Sequence, residues 1–210
     1  LHTHTDWSDG GFSPDEMVAA AESRGYDYYA ITDHGEGPGV FGNTGLDGEA
    51  LSAQADAIAD VAADASIEVL HGVEANIAAD GSIVPGEAVL ADLDVVVASP
   101  HAALDAEPAA ATERLVSAVE HPSVDILGHP TGRLINSRPG LSPNMETVAE
   151  AAAREGVALE VNANPARLDA DGTAVRAAVD AGATIVVNTD AHAPGELDNA
   201  RYGVHTARRG

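Results

Sequence analysis

The sequence predicts an α/β fold built on a parallel sheet that closes into a seven-stranded barrel, with a doubly wound open sheet as the alternative. Three observations favour this fold class. Short apolar runs alternate with helical patterns from one end of the chain to the other. The apolar runs are continuous and rich in Val and Ile, as in strands buried on both faces. No composition shift or Ser/Pro-rich linker divides the 210 residues, so one domain, 1–210, is predicted.

Seven strands are predicted along the chain. The first opens it, where LHTH places His2 and His4 on one face of an extended segment, because side chains two apart on a strand point the same way. The other six are the apolar runs at 26–32, 67–75, 95–100, 124–129, 157–163 and 183–189.

Helical patterns lie between the apolar runs. The first, 13–25, has Ser13 as its N-cap, Pro14 in its first turn and Gly25 at its end. Comparable patterns cover 47–65, 107–120, 143–156 and 172–182. Repeated strand-then-helix units predict parallel pairing of the strands.

The composition excludes several kinds of protein and of site. The chain has no cysteine, so any metal is held by N and O ligands rather than by thiolates. No apolar run reaches the roughly 20 residues that a membrane span needs, so we expect a cytoplasmic protein without membrane partners. The chain has no initiator Met and enters its first strand at once, which predicts a fragment of a longer chain.

The charge of the chain is strongly unbalanced. The formal net charge is −24 at pH 7, and all ten basic residues are Arg. An acidic, Lys-free composition is typical of proteins from very salty cytoplasm, where a Debye length of about 3 Å at 1 M salt screens the self-repulsion. The sequence therefore predicts a halophilic source.

Potential metal donors stand at or just past the C-terminal ends of the predicted strands. They are His2, His4, Asp33, His34, Glu74, His101, His129, Asp190 and His192. A single His or Asp at a strand end is more often a cap or a turn residue. Strand ends of a parallel barrel converge on one face, however, so the joint occurrence of these donors predicts a divalent-metal site there.

Other polar residues near this pattern are interpreted differently. Asp9 is preferred over Asp6 as a donor, because the DGG turn that starts at Asp9 bends the chain back. His71, His121 and His205 do not follow strand ends, and we expect them to pack in the fold or to face solvent.

The motifs LHTHTDWSDG, AITDHG, HGVEAN, SPH, GHPTGRL and NTDAH together resemble the successive motifs of the PHP (polymerase and histidinol phosphatase) superfamily. The longer runs LGHPTGRLINSRPG, ALEVNANPARLD and NTDAHAPGELDNARYGVHTARRG are similar to the C-terminal PHP domain of bacterial and archaeal family X DNA polymerases. The resemblance covers essentially the whole chain. It implies a distorted (β/α)7 TIM-like barrel with three divalent metal ions at the C-terminal ends of the strands.

The resemblance also implies a role for particular residues. One ion is implied at His2, His4, Glu74 and Asp190, a second at Glu74, His101 and His129, and a third at Asp9, His34 and His192. Glu74, Asp190 and His192 are also expected to take part in catalysis. The donors suit Zn²⁺, Mn²⁺ or Fe²⁺, and the family favours Mn²⁺ or Zn²⁺. Arg133 and Arg167 are candidates for binding a substrate phosphate through their planar guanidinium groups, with surface ion pairs as the alternative.

Taken together, these features predict a phosphoesterase in which a metal-bridging hydroxide attacks a phosphate ester. The likeness to family X polymerases implies DNA 3′ ends as substrate, by a 3′-5′ exonuclease or 3′-phosphatase linked covalently to a polymerase domain, and general phosphatase activity in isolation. Two alternatives stay open. One is hydrolysis of histidinol phosphate, and the other is a metal-stabilised structural module of a polymerase without activity of its own.

Overall fold

The computed structural model describes residues 1–37 and 45–210, and these form a curled, mostly parallel sheet covered by helices. The strands are β1 Tyr28–Ile31, β2 Glu68–Ile77, β3 Ile83–Val84, β4 Val95–Ser99, β5 Ile126–Leu127, β6 Ala158–Asn162 and β7 Ile185–Asn188. The helices are α1 Pro14–Glu22, α2 Gly48–Asp64, α3 Glu87–Leu90, α4 Pro108–Val119, α5 Met145–Glu155, α6 Gly172–Ala181 and α7 Ala200–Ala207, and a 3₁₀ helix spans Pro194–Asn199.

The strand order confirms the predicted distorted barrel. The path β1-β2-β4-β5-β6-β7 follows the chain, and each pair along it is parallel. The C-terminal ends of these strands therefore lie on the same face. β3 pairs antiparallel with β2 at Asn76 and Ile77. The pattern of apolar residues does not predict β3, because two residues are too few to show the alternation that marks a strand.

The N-terminal segment closes the ring without forming a regular strand. The predicted first strand is wrong in this respect, since a single bridge joins Thr3 to Ala191. Backbone hydrogen bonds run to both sides: Thr32 N–H donates to the Thr3 carbonyl over 3.0 Å, and His4 N–H donates to the Ala191 carbonyl over 2.8 Å. These backbone contacts with both neighbours stop at Thr5, whose carbonyl accepts hydrogen bonds from Ser8 N–H and Gly10 N–H in the turn that follows.

The second strand is longer than the sequence predicts. The apolar run 67–75 indicates an end at Ala75, but β2 continues to Ile77 because β3 pairs with its last residues. Glu74 therefore lies inside β2 rather than at its end.

Side-chain caps and glycines set the ends of the helices. The carboxylate of Asp47 accepts a hydrogen bond from Ala50 N–H at the start of α2, and Asp171 caps α6 in the same way. Gly156 and Gly182 end α5 and α6 with φ of 78° each, a left-handed conformation that glycine adopts at no steric cost. The predicted helices 47–65, 107–120, 143–156 and 172–182 are thus confirmed to within a few residues.

The core between sheet and helices is aliphatic. Side chains of β4 and β6 pack with those of α4 and α5, and Leu115, Leu127 and Leu159 are buried there. This packing holds the strands rigidly, so the polar side chains at their ends are presented in fixed positions. Among the residues that the structure describes, no helix combines the length and the apolar character that crossing a membrane requires.

Candidate metal centre

Glu74 is the centre of a cluster of imidazoles. Its carboxylate, carried by β2 inside the barrel mouth, is 0% exposed. Glu74 Oε1 lies 2.8 Å from His129 Nε2, 3.2 Å from His101 Nε2 and 3.3 Å from His2 Nε2. The loops after β4 and β5 supply His101 and His129, and the N-terminal segment supplies His2. One carboxylate oxygen therefore faces imidazoles from three separate parts of the chain.

The second oxygen of Glu74 faces a different pair of imidazoles. Glu74 Oε2 lies 2.8 Å from His34 Nδ1 and 3.6 Å from His4 Nε2. Asp190 continues the cluster on this side, with its Oδ1 3.2 Å from His4 Nε2 and 3.7 Å from His2 Nε2. Asp190 has a φ of 53°, a left-handed conformation that non-glycine residues rarely adopt, which indicates that the surrounding contacts fix it.

The outer edge of the cluster is formed by Asp9, His34 and His192. Asp9 Oδ1 lies 3.2 Å from His192 Nε2, and Asp9 Oδ2 lies 3.5 Å from His34 Nε2. The side chains of Asp9 and His192 are 32% and 29% exposed, whereas Glu74 and the rings of His2 and His4 are wholly buried. Solvent and ligands therefore reach the cluster from this edge.

The structure brings together every residue of the predicted ligand set, but groups them differently. Among the described residues, three sets have donor atoms within 4.8 Å of one another: His4, Asp9, His34 and His192; His2, His4 and Glu74; and His34, Glu74 and His101. His129 and Asp190 are in none of these sets, but His129 Nε2 lies 2.8 Å from Glu74 Oε1 and Asp190 Oδ1 lies 3.2 Å from His4 Nε2. His34 thus faces both Glu74 and Asp9, and His4 belongs to two sets. The predicted third set is present with His4 added to it.

The donor atoms are arranged to coordinate divalent cations rather than to form hydrogen bonds with one another. Within the described chain, both oxygens of Glu74 and the Nε2 atoms of His2, His4, His101 and His129 are buried and make no hydrogen bond. Buried polar groups are normally paired, so atoms this close without hydrogen-bond geometry indicate a shared third partner. Imidazole and carboxylate donors without thiolates suit Zn²⁺, Mn²⁺ or Fe²⁺.

Hydrogen-bond acceptors behind the cluster orient the rings, two of them side chains outside the cluster and one the backbone carbonyl of Asp190. His2 Nδ1 lies 2.7 Å from Glu160 Oε1, His101 Nδ1 lies 2.6 Å from Asn76 Oδ1, and His192 Nδ1 lies 2.9 Å from the Asp190 carbonyl oxygen. Each acceptor favours a proton on Nδ1 and leaves Nε2 turned towards the cluster. Sequence reasoning missed Glu160 and Asn76. The available signal for Glu160 was a polar residue inside the apolar run 157–163, whereas Asn76 lies just past the run 67–75 and carried no such signal.

Asp33 is the one predicted strand-end donor whose carboxylate points away from the cluster. The expectation that it is a potential metal donor is therefore corrected. Its buried carboxylate accepts hydrogen bonds from Thr5 N–H over 2.7 Å, Ser8 Oγ–H over 2.5 Å and Gln54 Nε2–H over 2.7 Å. Asp33 therefore fixes the turn that carries Asp9. As expected, His71 packs outside the cluster, with Nε2 3.2 Å from Gln54 Oε1.

The two candidate arginines have different surroundings. Arg167 Nε donates to Asp190 Oδ2 over 3.0 Å, and its Nη1 is buried without a hydrogen-bond partner in the described chain. Arg133 instead donates from Nε to the Arg167 carbonyl over 2.9 Å and from Nη2 to the Leu168 carbonyl. Arg133 thus supports the loop that carries Arg167, and its Nη1 lies 3.7 Å from Asp171 Oδ2, an ion pair of the kind given as the alternative. Contact of Arg133 with a substrate phosphate stays a prediction.

Buried charges shift the pKa values of the cluster in opposite directions. Burial alone raises the pKa of Glu74, but the surrounding imidazoles outweigh it and hold that pKa well below the usual value. Burial lowers the pKa of His34, but Glu74 and Asp9 raise it more, to about 10. Carboxylates around His2 likewise raise its pKa well above 6.5. In the metal-free protein at pH 7, His2 and His34 are therefore protonated and the carboxylates are ionised.

These shifts lead us to expect proton release when metal binds. A metal coordinates only the deprotonated ring, so ions held by His2 and His34 displace protons at pH 7. Affinity should fall as pH falls, by roughly tenfold per pH unit for each displaced proton, and should level off only as pH approaches the pKa of about 10 of His34. Titration calorimetry in two non-chelating buffers of different protonation enthalpy measures the protons released. An apparent binding enthalpy that is the same in both buffers contradicts the expectation.

Asp169 is a buried carboxylate beside the arginine loop. Its Oδ2 accepts hydrogen bonds from Thr131 N–H over 3.0 Å and Thr131 Oγ1–H over 2.8 Å, while Oδ1 is buried without a partner in the described residues. Burial raises the pKa of Asp169 to about 6, although the hydrogen bonds from Thr131 and the nearby guanidinium groups act against the shift.

We expect Asp169→Asn to stabilise the fold at pH 8 and not at pH 4. The folded-state pKa of about 6 exceeds the usual 3.8, so the ionised form destabilises the fold above pH 6, by roughly 3 kcal/mol for two pKa units, and this penalty disappears below pH 3.8. The difference in unfolding free energy between variant and wild type in urea, measured at both pH values, checks this. Asp180→Asn on the exposed face of α6 is the control. An equal difference at both pH values contradicts it.

Comparison with known proteins agrees with this geometry. The family model of the PHP domain matches residues 1–164. The DNA polymerase/3′-5′ exonuclease PolX of Bacillus subtilis (strain 168) is 42% identical over 211 residues, which cover 100% of this chain and 37% of PolX. A probable phosphatase of Shewanella sp. (strain MR-4) is 32% identical over 205 residues, which cover 91% of this chain and 75% of the phosphatase. The chain thus spans little more than a third of the length of PolX.

A solved structure shares the fold. The histidinol phosphate phosphatase HisK of Lactococcus lactis subsp. lactis Il1403, in complex with Zn, L-histidinol and phosphate, superposes with a TM-score of 0.66 at 18% identity. The superposition covers 98% of this chain and 92% of that one. At this identity the likeness concerns the fold alone.

The barrel and the cluster of imidazoles and carboxylates at its mouth define a metal-dependent hydrolase. Within that class, the chain belongs to the PHP domain family, whose model matches most of its length.

Proposed function

We propose that this chain is a metal-dependent phosphoesterase whose reaction takes place at the Glu74 cluster. In its natural context we propose DNA 3′ ends as the substrate, by 3′-5′ exonuclease or 3′-phosphatase action, and small phosphate esters when the domain is isolated. The observation that carries the proposal is the convergence on both oxygens of Glu74 of buried donor atoms that make no hydrogen bond within the described part of the chain.

Three divalent ions, Mn²⁺ or Zn²⁺ with Fe²⁺ also suited, are proposed for this cluster. The proposed ligands are His2, His4, Asp9, His34, Glu74, His101, His129, Asp190 and His192. Such ions lower the pKa of a water molecule to provide the nucleophile and neutralise charge on the phosphate oxygens. Glu74 offers oxygens to two sides of the cluster, and so links the groups of imidazoles electrostatically.

Other side chains are proposed to bind and orient the ester. The exposed edge at Asp9 and His192 is where a substrate reaches the cluster. Arg167 Nη1, which is buried beside Asp190 and has no hydrogen-bond partner among residues 1–37 and 45–210, suits a phosphate oxygen placed between the guanidinium and the cluster. His192 lies at the same edge, where the Asp190 carbonyl holds its Nδ1 and leaves Nε2 facing Asp9 and the proposed outer ion.

The DNA substrate rests on the similarity to PolX across the whole chain. A net charge of −24 opposes binding to a phosphate backbone. We therefore propose that this chain is one PHP domain, 1–210, linked covalently to a polymerase domain that holds the DNA, and that high intracellular salt screens the remaining repulsion. A cytoplasmic location follows from this proposal, because the DNA ends are found there.

The proposal is tested by metal analysis of protein purified in high salt, coupled to hydrolysis assays. The substrates are p-nitrophenyl phosphate, histidinol phosphate, 3′-recessed DNA and DNA with a 3′-phosphate. His101→Ala removes one imidazole of the cluster and should lower metal content and activity together. His205→Ala, an exposed histidine on α7, is the matched control and should change neither.

Two other results would contradict the proposal, each in a different part. Bound metal without turnover of any ester overturns the phosphoesterase proposal and favours a structural module. Preference for histidinol phosphate over both DNA substrates by a hundredfold or more overturns the DNA assignment alone.

Arg167→Ala should lower kcat/KM for p-nitrophenyl phosphate by about 10- to 100-fold. A hydrogen bond to a charged group contributes about 1.5–3 kcal/mol, and Arg167 Nη1 makes no hydrogen bond to any residue that the structure describes. Steady-state kinetics measure the effect, with metal content checked in parallel because Arg167 also contacts Asp190. Arg176→Ala, exposed on α6, is the control. Unchanged kcat/KM with normal metal content contradicts the assignment.

A further inference from the structure

Glu160 is a buried carboxylate that none of the proposed ligand sets includes. It lies in the middle of β6, below the mouth of the barrel, and is 0% exposed. A buried carboxylate needs a full set of partners to offset its desolvation, so the identity of those partners indicates what this side chain does.

Within the described residues, the Glu160 carboxylate makes four close polar contacts, all with nitrogen atoms. Oε1 lies 2.7 Å from His2 Nδ1 and accepts from Asn188 Nδ2–H over 2.9 Å. Oε2 accepts from His129 N–H over 2.7 Å and from Asn162 Nδ2–H over 3.2 Å. Its acceptor sites are therefore filled, and the carboxylate joins the N-terminal segment to the ends of β5, β6 and β7.

Two of these donors are unambiguous. The His129 donor is a backbone N–H. The orientation of the Asn162 amide is fixed because its Oδ1 accepts a hydrogen bond from Asn164 N–H over 3.1 Å and its Nδ2 also donates to Asp190 Oδ2 over 3.1 Å. A glutamine at position 160 can keep its carbonyl oxygen towards these two donors, and its NH₂ group then faces His2 Nδ1 and Asn188. The amide would donate to His2 Nδ1 and favour the opposite tautomer of the ring, whereas the carboxylate favours the proton on Nδ1.

We propose that Glu160 is a positioning residue that holds His2 with its proton on Nδ1, and so sets the affinity of the metal ion that His2 binds. Glu160 acts through the ring and does not touch the ion. The inference rests on the metal cluster of the proposed function. A carboxylate behind a ligating histidine fixes its tautomer and raises its basicity, and losing such a partner lowers metal affinity by about 10- to 100-fold.

The effect should be confined to one part of the cluster. His192, on the outer edge, is held instead by the Asp190 carbonyl and by Glu196, whose Oε2 accepts from His192 N–H over 2.7 Å. The turn that carries Asp9 is held by Asp33 through Thr5. None of these contacts involves Glu160, so the outer ion should keep its affinity when Glu160 is changed.

The first test measures bound metal against buffered free Zn²⁺ for wild type and Glu160→Gln. We expect one ion of the variant to need about 10- to 100-fold more free Zn²⁺ while the others bind as in wild type. Saturating Zn²⁺ should restore the full complement. Glu155→Gln, an exposed site on α5, is the control for the same chemical change. Identical binding curves for Glu160→Gln and wild type overturn the inference.

A double-mutant cycle tests whether Glu160 acts through His2. In the His2→Ala background, Glu160→Gln should have little further effect on Zn²⁺ affinity, because the ring it positions is gone. Full additivity of the two changes overturns the inference and assigns Glu160 a purely structural role.

A spectroscopic measurement on the unaltered protein removes any dependence on how the variants fold. Nitrogen-15 correlation spectra of the Zn²⁺-loaded protein should show the His2 proton on Nδ1. A proton on Nε2 overturns the inference while leaving the phosphoesterase proposal standing. A wild type that binds no metal defeats the proposed function itself, so the two failures are distinguishable.

Discussion

Glu74→Ala is expected to abolish metal retention and phosphate ester hydrolysis together. The carboxylate offers Oε1 to His2, His101 and His129 and Oε2 to His4 and His34. Without it, imidazoles on both sides lose the negative charge that they share. We expect at least two of the proposed ions to be lost on gel filtration, and kcat/KM to fall about a thousandfold or more, equal to about 4 kcal/mol of transition-state stabilisation.

The measurements are metal stoichiometry after gel filtration and hydrolysis of p-nitrophenyl phosphate. Glu68→Ala is a matched control, because Glu68 lies in the same strand, β2, with an exposed side chain. It should retain metal and rate. A Glu74→Ala protein that keeps full metal content and wild-type rate would falsify the role of Glu74 as the shared ligand.

Thermal stability is expected to rise steeply with KCl. The net charge of −24 on 210 residues is self-repelling in dilute buffer. Between about 0.1 M and 1 M salt the Debye length falls from about 10 Å to about 3 Å. We expect Tm to increase by about 10 °C or more over that range, which for a domain of this size corresponds to about 3 kcal/mol.

Circular dichroism melts at several KCl concentrations measure this effect. Sucrose, which stabilises folds without screening charge, separates charge screening from general preferential exclusion. The halophilic hypothesis predicts a larger effect of KCl than of sucrose. A Tm that is flat or falls with KCl ends that hypothesis.

The strand-end rule predicts much of the cluster because it depends on topology alone. His101 and His129 follow β4 and β5 directly, and parallel neighbours bring such ends together whatever the loops do. Asp33 and His34 show the limit of the rule. They are adjacent, and a difference of one position decides that His34 faces Glu74 while Asp33 turns away to Thr5. The pattern of apolar residues does not predict which of the two side chains faces the cluster.

The supporting residues are hidden from sequence for a different reason. Glu160 has apolar neighbours on both sides, and in a one-sided sheet such a residue would face solvent. Only closure of the barrel makes the inner face polar at its mouth. Arg133 and Arg167 are likewise equivalent in sequence, since the contacts of a guanidinium depend on where loop carbonyls point. The predicted N-terminal strand is wrong for a similar reason, because Thr3 pairs with residues at the other end of the chain.

Closure of the ring by the first residues affects how the protein is made. A ribosome releases His2 and His4 before Glu160, which lies 158 positions further along from His2, and Asp190 comes later still. Contacts between residues so far apart in sequence form slowly and late, because the entropy cost of closing a long loop comes before the contacts can stabilise the fold. During synthesis the imidazoles of His2 and His4 are therefore exposed before Glu160 and Asp190 can surround them. We expect metal ions to bind after the barrel has folded rather than during translation.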